Sequence, residues 1–276
     1  MAATACMYVT ALVEDGVDGY MQAIVSATAN PLHSHRGRYT APVATSSTPS
    51  RRRAESSVPS GRALQDKWSR APVAERYAGE RWRKPAAEAR DGRLVARLLT
   101  RHGLSVSRVL DMPCGSGRLA PTLHPFATDM CGADASRAML LEARAAFGRH
   151  ALKVPHVQAL AQALPFATGS CELVVCCRLL HHLDDGEQLS AVARELVRVA
   201  GTWIIASYWD CASLESMARG LRTPRPGGTR RSRPASIING AFAAAGATVV
   251  DRVHARRLFS PQTFVLARKE PRPTHG

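Results

Sequence analysis

The chain has 276 residues, of which 45% are hydrophobic, and a formal charge of +15. That length allows one or two domains with a good core, and no apolar run reaches the roughly 18 residues that a membrane span needs. The positive balance favours anionic surroundings: nucleic acid, acidic lipid or an anionic metabolite. Lys67, Lys84, Lys153 and Lys269 are the only lysines, so arginine carries nearly all of the positive charge, a bias that coding composition can produce as well as function. Seven cysteines lack C-x-x-C spacing. They read as small apolar core residues in a reducing, cytoplasmic compartment rather than as zinc ligands, and no metal is expected.

Residues 1–65 differ from the rest. Positions 41–61 are a Ser/Pro/Arg stretch that cannot build a core, so a disordered N-terminal arm is expected. A secretory signal needs a positive start and a continuous apolar core, and a mitochondrial presequence should lack acids such as Glu14, Asp15 and Asp18. Residues 66–270 read as one domain, with a short disordered tail over 271–276. Within it, the spacing predicts a helix over 86–102 with Leu94, Val95, Leu98 and Leu99 on one face. Strand 107–111, helix 116–126, strand 128–133 and helix 136–148 follow. Then come strands 154–159 and 171–177, helix 184–199, strand 202–207 and helix 235–246. Two strands, 248–257 and 260–268, end the domain. Alternating strands and helices imply a parallel sheet covered on both faces. The last two strands are joined closely enough, through Phe259 to Pro261, to run antiparallel.

Residues 107–117 carry the most information. Val109 and Leu110 lead into Asp111, a loop with Gly115 and Gly117 follows, and a helical run begins at Arg118. Glycines let backbone N–H groups approach a ligand closely. A carboxylate at that tip repels a phosphate and suits an ammonium group. Pro113 fixes φ near −65° and carries no N–H, so the turn must need neither a positive φ nor a donor there. The run Gly115-Ser116-Gly117-Arg118-Leu119-Ala120 also spells the dinucleotide fingerprint G-x-G-x-x-A. In dinucleotide folds, however, the strand usually runs straight into the first glycine, whereas four residues intervene here. Both readings want an acid at the tip of the next strand for ribose hydroxyls, about 20 residues on. Asp134 stands seventeen residues after Gly117. Asp134 or Ser136 equally suits the cap of the following helix.

Asp111 to Gly117 resembles the first motif of the class I S-adenosylmethionine-dependent methyltransferases, Asp/Glu-x-Gly-x-Gly-x-Gly, with Pro113 replacing the first glycine. Asp134-Ala135-Ser136 resembles the second motif. Leu164-Pro165-Phe166, the strand 171–177 and Leu180-His181-His182-Leu183 are similar to the Leu-Pro-Phe, strand, Leu-His-His-Leu succession of the small-molecule members. The resemblance covers about residues 86–269. It implies a Rossmann-like, doubly wound, mostly parallel seven-stranded α/β sheet with an antiparallel C-terminal strand pair. It also implies S-adenosylmethionine as cofactor. Asp111, Pro113, Gly115 and Gly117 would hold its amino-acid end, and Asp134 and Ala135 its ribose. Ala161 and Gln162 would meet the adenine, with Cys177 and Arg178 beside the methyl group. The family's Gly-Asp-Ala-Glu stretch is Ala159-Leu160-Ala161-Gln162 here. The adenine-binding carboxylate is thus missing at Leu160, and Gln162 or a backbone carbonyl is expected to replace it.

Methyl transfer mainly requires positioning and exclusion of water, with a base only if the acceptor arrives protonated. His181 and His182 fall on the acceptor side and have an ordinary pKa near 6.5, which suits proton uptake. The alternative is that one of them caps the next helix and packs as an aromatic. Tyr208, Trp209 and Asp210 are expected to wall the acceptor pocket, with Asp210 as a second candidate base. Residues 219–234 hold six arginines and no acid; they form either a lid for an anionic acceptor or a solvated loop. The Asn/Asp-Pro-Pro-Tyr motif of adenine methylation and the cysteine pair of cytosine-carbon methylation are both absent. The expected acceptor is therefore small and anionic or amphipathic. An RNA methyltransferase, or a non-catalytic domain that binds through its basic surface, stands as the alternative.

Overall fold

The computed structural model describes residues 85–149, 154–183, 186–220, 230–256 and 259–271. The expected arm over 1–65, most of the arginine loop and the last five residues lie outside these. Strands Val106–Asp111 (β1), Ala127–Asp134 (β2), His156–Gln158 (β3), Cys171–Cys176 (β4), Ala200–Trp209 (β5), Ala247–His254 (β6) and Gln262–Lys269 (β7) form one sheet. Their order is β3-β2-β1-β4-β5-β7-β6. Strands β1 to β5 pair in parallel, and β7 runs antiparallel to both β5 and β6. This is the expected doubly wound sheet with its antiparallel ending. Among the described residues no helix is long and apolar enough to cross a membrane.

Side chains alternate between two buried faces, as the two-residue strand period requires. Leu110, Val174, Cys176, Ile204 and Ala206 face one layer. Helices Gly186–Val199 (α4 in chain order) and Ala235–Ala244 (α6) cover it with Leu189, Val192, Leu196, Ile238 and Phe242. Val109, Leu173, Val175, Ile205 and Leu266 face the other. There Pro85–Arg101 (α1) contributes the expected Leu94, Val95, Leu98 and Leu99, and Arg137–Arg149 (α3) contributes Leu140, Ala143 and Phe147. Cys114, Cys131, Cys171, Cys176 and Cys177 are buried free thiols, while Cys211 is exposed.

Several elements differ from expectation, among them β3 and β6, which end early at Gln158 and His254. The helix foreseen over 116–126 shrinks to Ala120–Leu123 (α2) and a 3-10 turn, His124–Phe126. Pro125 removes a backbone donor, and Gly115 and Gly117 hold the preceding residues in a turn. A helix over Leu214–Gly220 (α5) was not foreseen. β7 starts at Gln262, because Pro261, whose carbonyl accepts the Asp210 N–H at 2.7 Å, has no N–H to return a ladder bond.

The Leu164-Pro165-Phe166 segment owes its place to a side-chain clamp on α4. Arg198 donates to the carbonyls of Phe166 and Leu164 at 2.7 and 3.0 Å, and Glu195 accepts the Leu164 N–H at 2.9 Å. The chain thereby turns beneath the end of β3 and back into β4.

In the loop after β1, positive φ values fall on Gly115 (55°) and Gly117 (76°) and not on Pro113. The proline therefore sits where no left-handed residue is required. The two glycines differ in their surroundings. A Cβ on Gly115 would meet nothing within 4 Å, whereas one on Gly117 would lie 2.5 Å from the Phe147 ring. Gly115→Ala should therefore cost only the left-handed strain, about 1–2 kcal/mol. Gly117→Ala adds a clash with a buried ring and should cost roughly 1–3 kcal/mol more. Urea unfolding of the two variants checks this order.

Candidate active site

β1 is flanked by β2 on one side and β4 on the other, so the strand order reverses there. A cleft opens outside the carboxyl ends of the strands at such a switch point. Asp111 to Gly115 form its floor, and Asp134 and Ala135 one wall. Leu160, Ala161 and Gln162 line the side beyond β3. Cys177, Arg178 and Leu179 line the end of β4, with His182, Leu183 and Gln188 beyond them. The expected donor-side residues thus come together around one cavity. Gly117 is the exception: it shapes the turn without lining the cleft.

Asp111 ends β1 only 1% exposed, and neither carboxylate oxygen has a hydrogen-bond partner. Backbone bonds from Met112 N to Val175 O and from Cys114 N to Ala133 O, both 2.8 Å, fix the chain around it. Burial pushes its carboxyl up to about 8; Arg118 pulls it down and Asp134 adds to the rise. A buried carboxylate without donors is costly unless a ligand supplies them. The chemistry of the gap fits an ammonium group.

Asp134 joins two elements. One oxygen accepts the Gly115 N–H at 2.9 Å, and the other accepts the Ser136 N–H at 2.8 Å. Ser136 in turn caps α3 through Met139 N at 3.3 Å. Burial raises the Asp134 carboxyl to about 6, against these backbone donors, which lower it. Asp134 is therefore a tie between the glycine loop and α3, and it also faces the cleft. Capping and ligand contact are compatible, because each carboxylate oxygen accepts more than one bond.

Arg178 follows β4 with φ at 62°, the one non-glycine residue with positive φ among those described. Its N–H donates to Ser207 Oγ at 2.7 Å, and its Nε donates to Asp91 Oδ2 at 2.5 Å. Asp91 lies on α1, is 3% exposed and lines the same cleft. Asp91 is not among the residues expected at the site. Its signal was there: an acid on the helical face that carries Leu94, Val95 and Leu98. Arg118 also lines the cleft without having been foreseen in that place.

On the acceptor side the expectations need correction. His182 and Leu183 line the cleft, but His181 is 3% exposed and faces away from it. Its ring stacks on Trp209, with centroids 4.7 Å apart and an interplanar angle of 4°. Tyr208 is 1% exposed and lies in the core rather than on a pocket wall. Its hydroxyl donates to Asp210 Oδ2 at 2.8 Å; burial and that bond push the phenol well above its ordinary range. Asp210 also accepts the Ala212 N–H at 2.9 Å. The pair braces the end of β5 instead of serving a reacting group. Trp209 receives the Arg230 guanidinium 5.4 Å from its ring centroid. Residues 230–233 lie against this corner: Arg231 N donates to His181 O, and Arg233 N to Trp209 O, both at 2.8 Å. The Arg233 guanidinium holds the Leu183 carbonyl. This end of the arginine loop is docked, and 221–229 lie outside the described residues.

Comparison with known proteins agrees with this geometry. Residues 109–201 match the family model described as a methyltransferase domain. An uncharacterized methyltransferase, YcgJ, of Bacillus subtilis is 30% identical over 104 residues, 37% of this chain and 41% of that protein. A ubiquinone biosynthesis O-methyltransferase of Aromatoleum aromaticum is 32% identical over 102 residues, 36% of this chain and 43% of that protein. The chain thus spans about two fifths of each relative's length. Magnesium protoporphyrin IX methyltransferase from Synechocystis PCC 6803, solved with S-adenosylmethionine bound, superposes with a TM-score of 0.60 at 16% identity. That likeness covers 79% of this chain and all of the other, and it speaks to the fold. Over residues 109–201 the chain matches a methyltransferase domain, and its fold is that of solved S-adenosylmethionine-dependent methyltransferases. The unpartnered carboxylate of Asp111 fits the methionyl ammonium of that family's cofactor.

The Asp111 carboxyl titrates near 8 when folded and near 4 when unfolded. The unfolded state therefore releases its proton first, and the ligand-free protein should lose stability as pH rises from about 4 through 8. Asp111→Asn removes that loss. It should raise the ligand-free melting temperature by several degrees at pH 8 and leave it nearly unchanged at pH 4. Thermal unfolding at the two pH values checks this.

Proposed function

We propose that the protein transfers a methyl group from S-adenosylmethionine to a small anionic or amphipathic acceptor. The buried, unpartnered Asp111 carboxylate beneath the glycine loop carries the donor half of that reading. S-adenosylmethionine, when bound, supplies an electrophilic methyl group on a sulfonium. The chain's part is to bind, orient and exclude water. Asp111 takes the ammonium group, Asp134 the ribose hydroxyls, and Ala161 and Gln162 the adenine edge. Cys177 and Arg178, at the end of β4, stand beside the methyl group.

His182 is the candidate base for the acceptor. It lines the cleft, while His181 and Tyr208 are committed to packing. Leu183 and the docked residues 230–233 close that side. The anionic or amphipathic character rests on three supports. The arginine-rich segment reaches the cleft wall, and Leu214 and Met217 of α5 leave apolar surface exposed shortly before it. The third is that similar proteins are named for ubiquinone biosynthesis and for magnesium protoporphyrin IX.

Incubating a metabolite extract with isotopically labelled S-adenosylmethionine tests the reading. Label should enter a small molecule with the wild-type protein and not with Asp111→Ala. With that acceptor in hand, His182→Asn should lower kcat by about a hundredfold to ten-thousandfold. Its affinity for S-adenosylhomocysteine should stay within about twofold. Label appearing in RNA alone would assign the basic surface to nucleic acid instead.

A further inference from the structure

Asp91, Asp111, Arg118 and Arg178 line the same cleft as Cys177. The buried Cys177 thiol feels Asp91 and Asp111, which raise its pKa, and Arg178 and Arg118, which lower it; burial is the largest cause, and the thiol reaches about 12. Two carboxylates and two guanidiniums around one thiol make a surface complementary to a zwitterion. Three of the four have a place in the fold already described: Asp111 ends β1, Arg118 lies in the turn before α2, and Arg178 follows β4. Asp91 comes from α1, which lies outside the matched segment 109–201.

Asp91 is half satisfied. Oδ2 accepts the Arg178 Nε–H at 2.5 Å, and Oδ1 is buried with no hydrogen-bond partner. Were Asp91 present only to neutralise Arg178, a buried oxygen would be left bare at a cost in stability. The neighbouring glycine shows how closely α1 sits. A Cβ on Gly92 would lie 2.6 Å from Thr122 Oγ1, so α1 and α2 are in close contact beside Asp91. The two carboxylates with bare oxygens, Asp91 and Asp111, face the same space.

We propose that Asp91 is a second ligand of the donor's α-ammonium group, which it shares with Asp111 across the cleft while its other oxygen holds Arg178 in place. The proposal rests on the cofactor reading above. An ammonium has three donors, enough for Asp111 and for Oδ1 of Asp91 together. The site would then recognise the amino-acid end of the ligand through two elements distant in sequence.

The test is calorimetric and needs no acceptor. Binding of S-adenosylhomocysteine is compared with that of its des-amino analogue, which keeps every group except the ammonium. Asp91→Asn keeps size and an acceptor for Arg178. It should weaken S-adenosylhomocysteine about tenfold to a hundredfold and leave the des-amino analogue within about twofold. Asp91→Glu, which restores the charge, should recover part of the preference. A second variant guards against misfolding of the first. In Asp111→Asn, a preference for the amino ligand should survive, because Asp91 remains. Equal losses for both ligands would make Asp91 a purely structural partner of Arg178, and no loss for either would remove it from the site. If the wild-type protein bound neither ligand, the cofactor reading itself would fall, and the role of Asp91 with it.

Discussion

At the end of β1 a carboxylate is taken out of water and given no donor. Burying Asp111 without partners works against folding, so the surrounding chain must force it. The force comes from the sheet. Val109 to Asp111 sit between β2 and β4 in continuous register, and the next two bonded amides, Met112 and Cys114, extend the ladder to Val175 and Ala133. With the backbone fixed on both sides, the Asp111 side chain has nowhere to go but the mouth of the cleft. The loop above must then pass without covering it, and Gly115 and Gly117 permit that path through positive φ.

Asp134 shows the same logic with the opposite outcome. It stands at the equivalent end of β2, yet both its oxygens are bonded to backbone donors of the loop and of α3. One acid is left bare and the other is already tied to the backbone while keeping acceptor capacity toward the cleft, and each stands at its own strand tip. The satisfied acid holds the loop still, so that the unsatisfied one meets its ligand in a fixed place. Preorganisation of this kind lowers the ordering cost of binding. The donor side of the site is therefore built from backbone bonds and a few buried charges, with little left to side-chain adjustment.

Much of this was legible in the chain. The Asp-loop-glycine corner, the acid seventeen residues on and the strand–helix alternation obey local rules of period and turn chemistry, and those rules are written in neighbouring letters. The donor-side residues Asp111, Asp134, Ala161 and Cys177 duly meet at one cleft. What escaped depends on which way a side chain turns. His181 sits one position from the cleft residue His182 and Tyr208 lies near the end of β5; a 3-10 turn and strand alternation send them inward. Nothing in the letters separates His181 from His182; the Trp209 ring does, by stacking on one of them. Asp91 escaped because its partner Arg178 is 87 residues away. The helix over 116–126 failed for a local reason, since Pro125 outweighs the apolar spacing around it.

The two sides of the cleft are held by different means, and this bears on what each can recognise. The donor side lies on β1, β2 and β4, inside the matched segment, where ladder bonds dictate position. The acceptor side is held by contacts among side chains and a docked strap. Arg233 grips the Leu183 carbonyl, Arg231 bonds the His181 carbonyl, and Arg230 caps the Trp209 ring. Trp209 and the strap lie beyond residue 201, where the family match ends. A strap held by arginines and one aromatic stack can be re-aimed by a few substitutions without disturbing the sheet, whereas the loop over Asp111 cannot. The sheet therefore fixes the donor side of the cleft, while the acceptor side is free to follow the strap. Resemblance over residues 109–201 consequently speaks to the methyl donor, and the acceptor has to be sought in the corner that His182, Leu183 and residues 230–233 enclose.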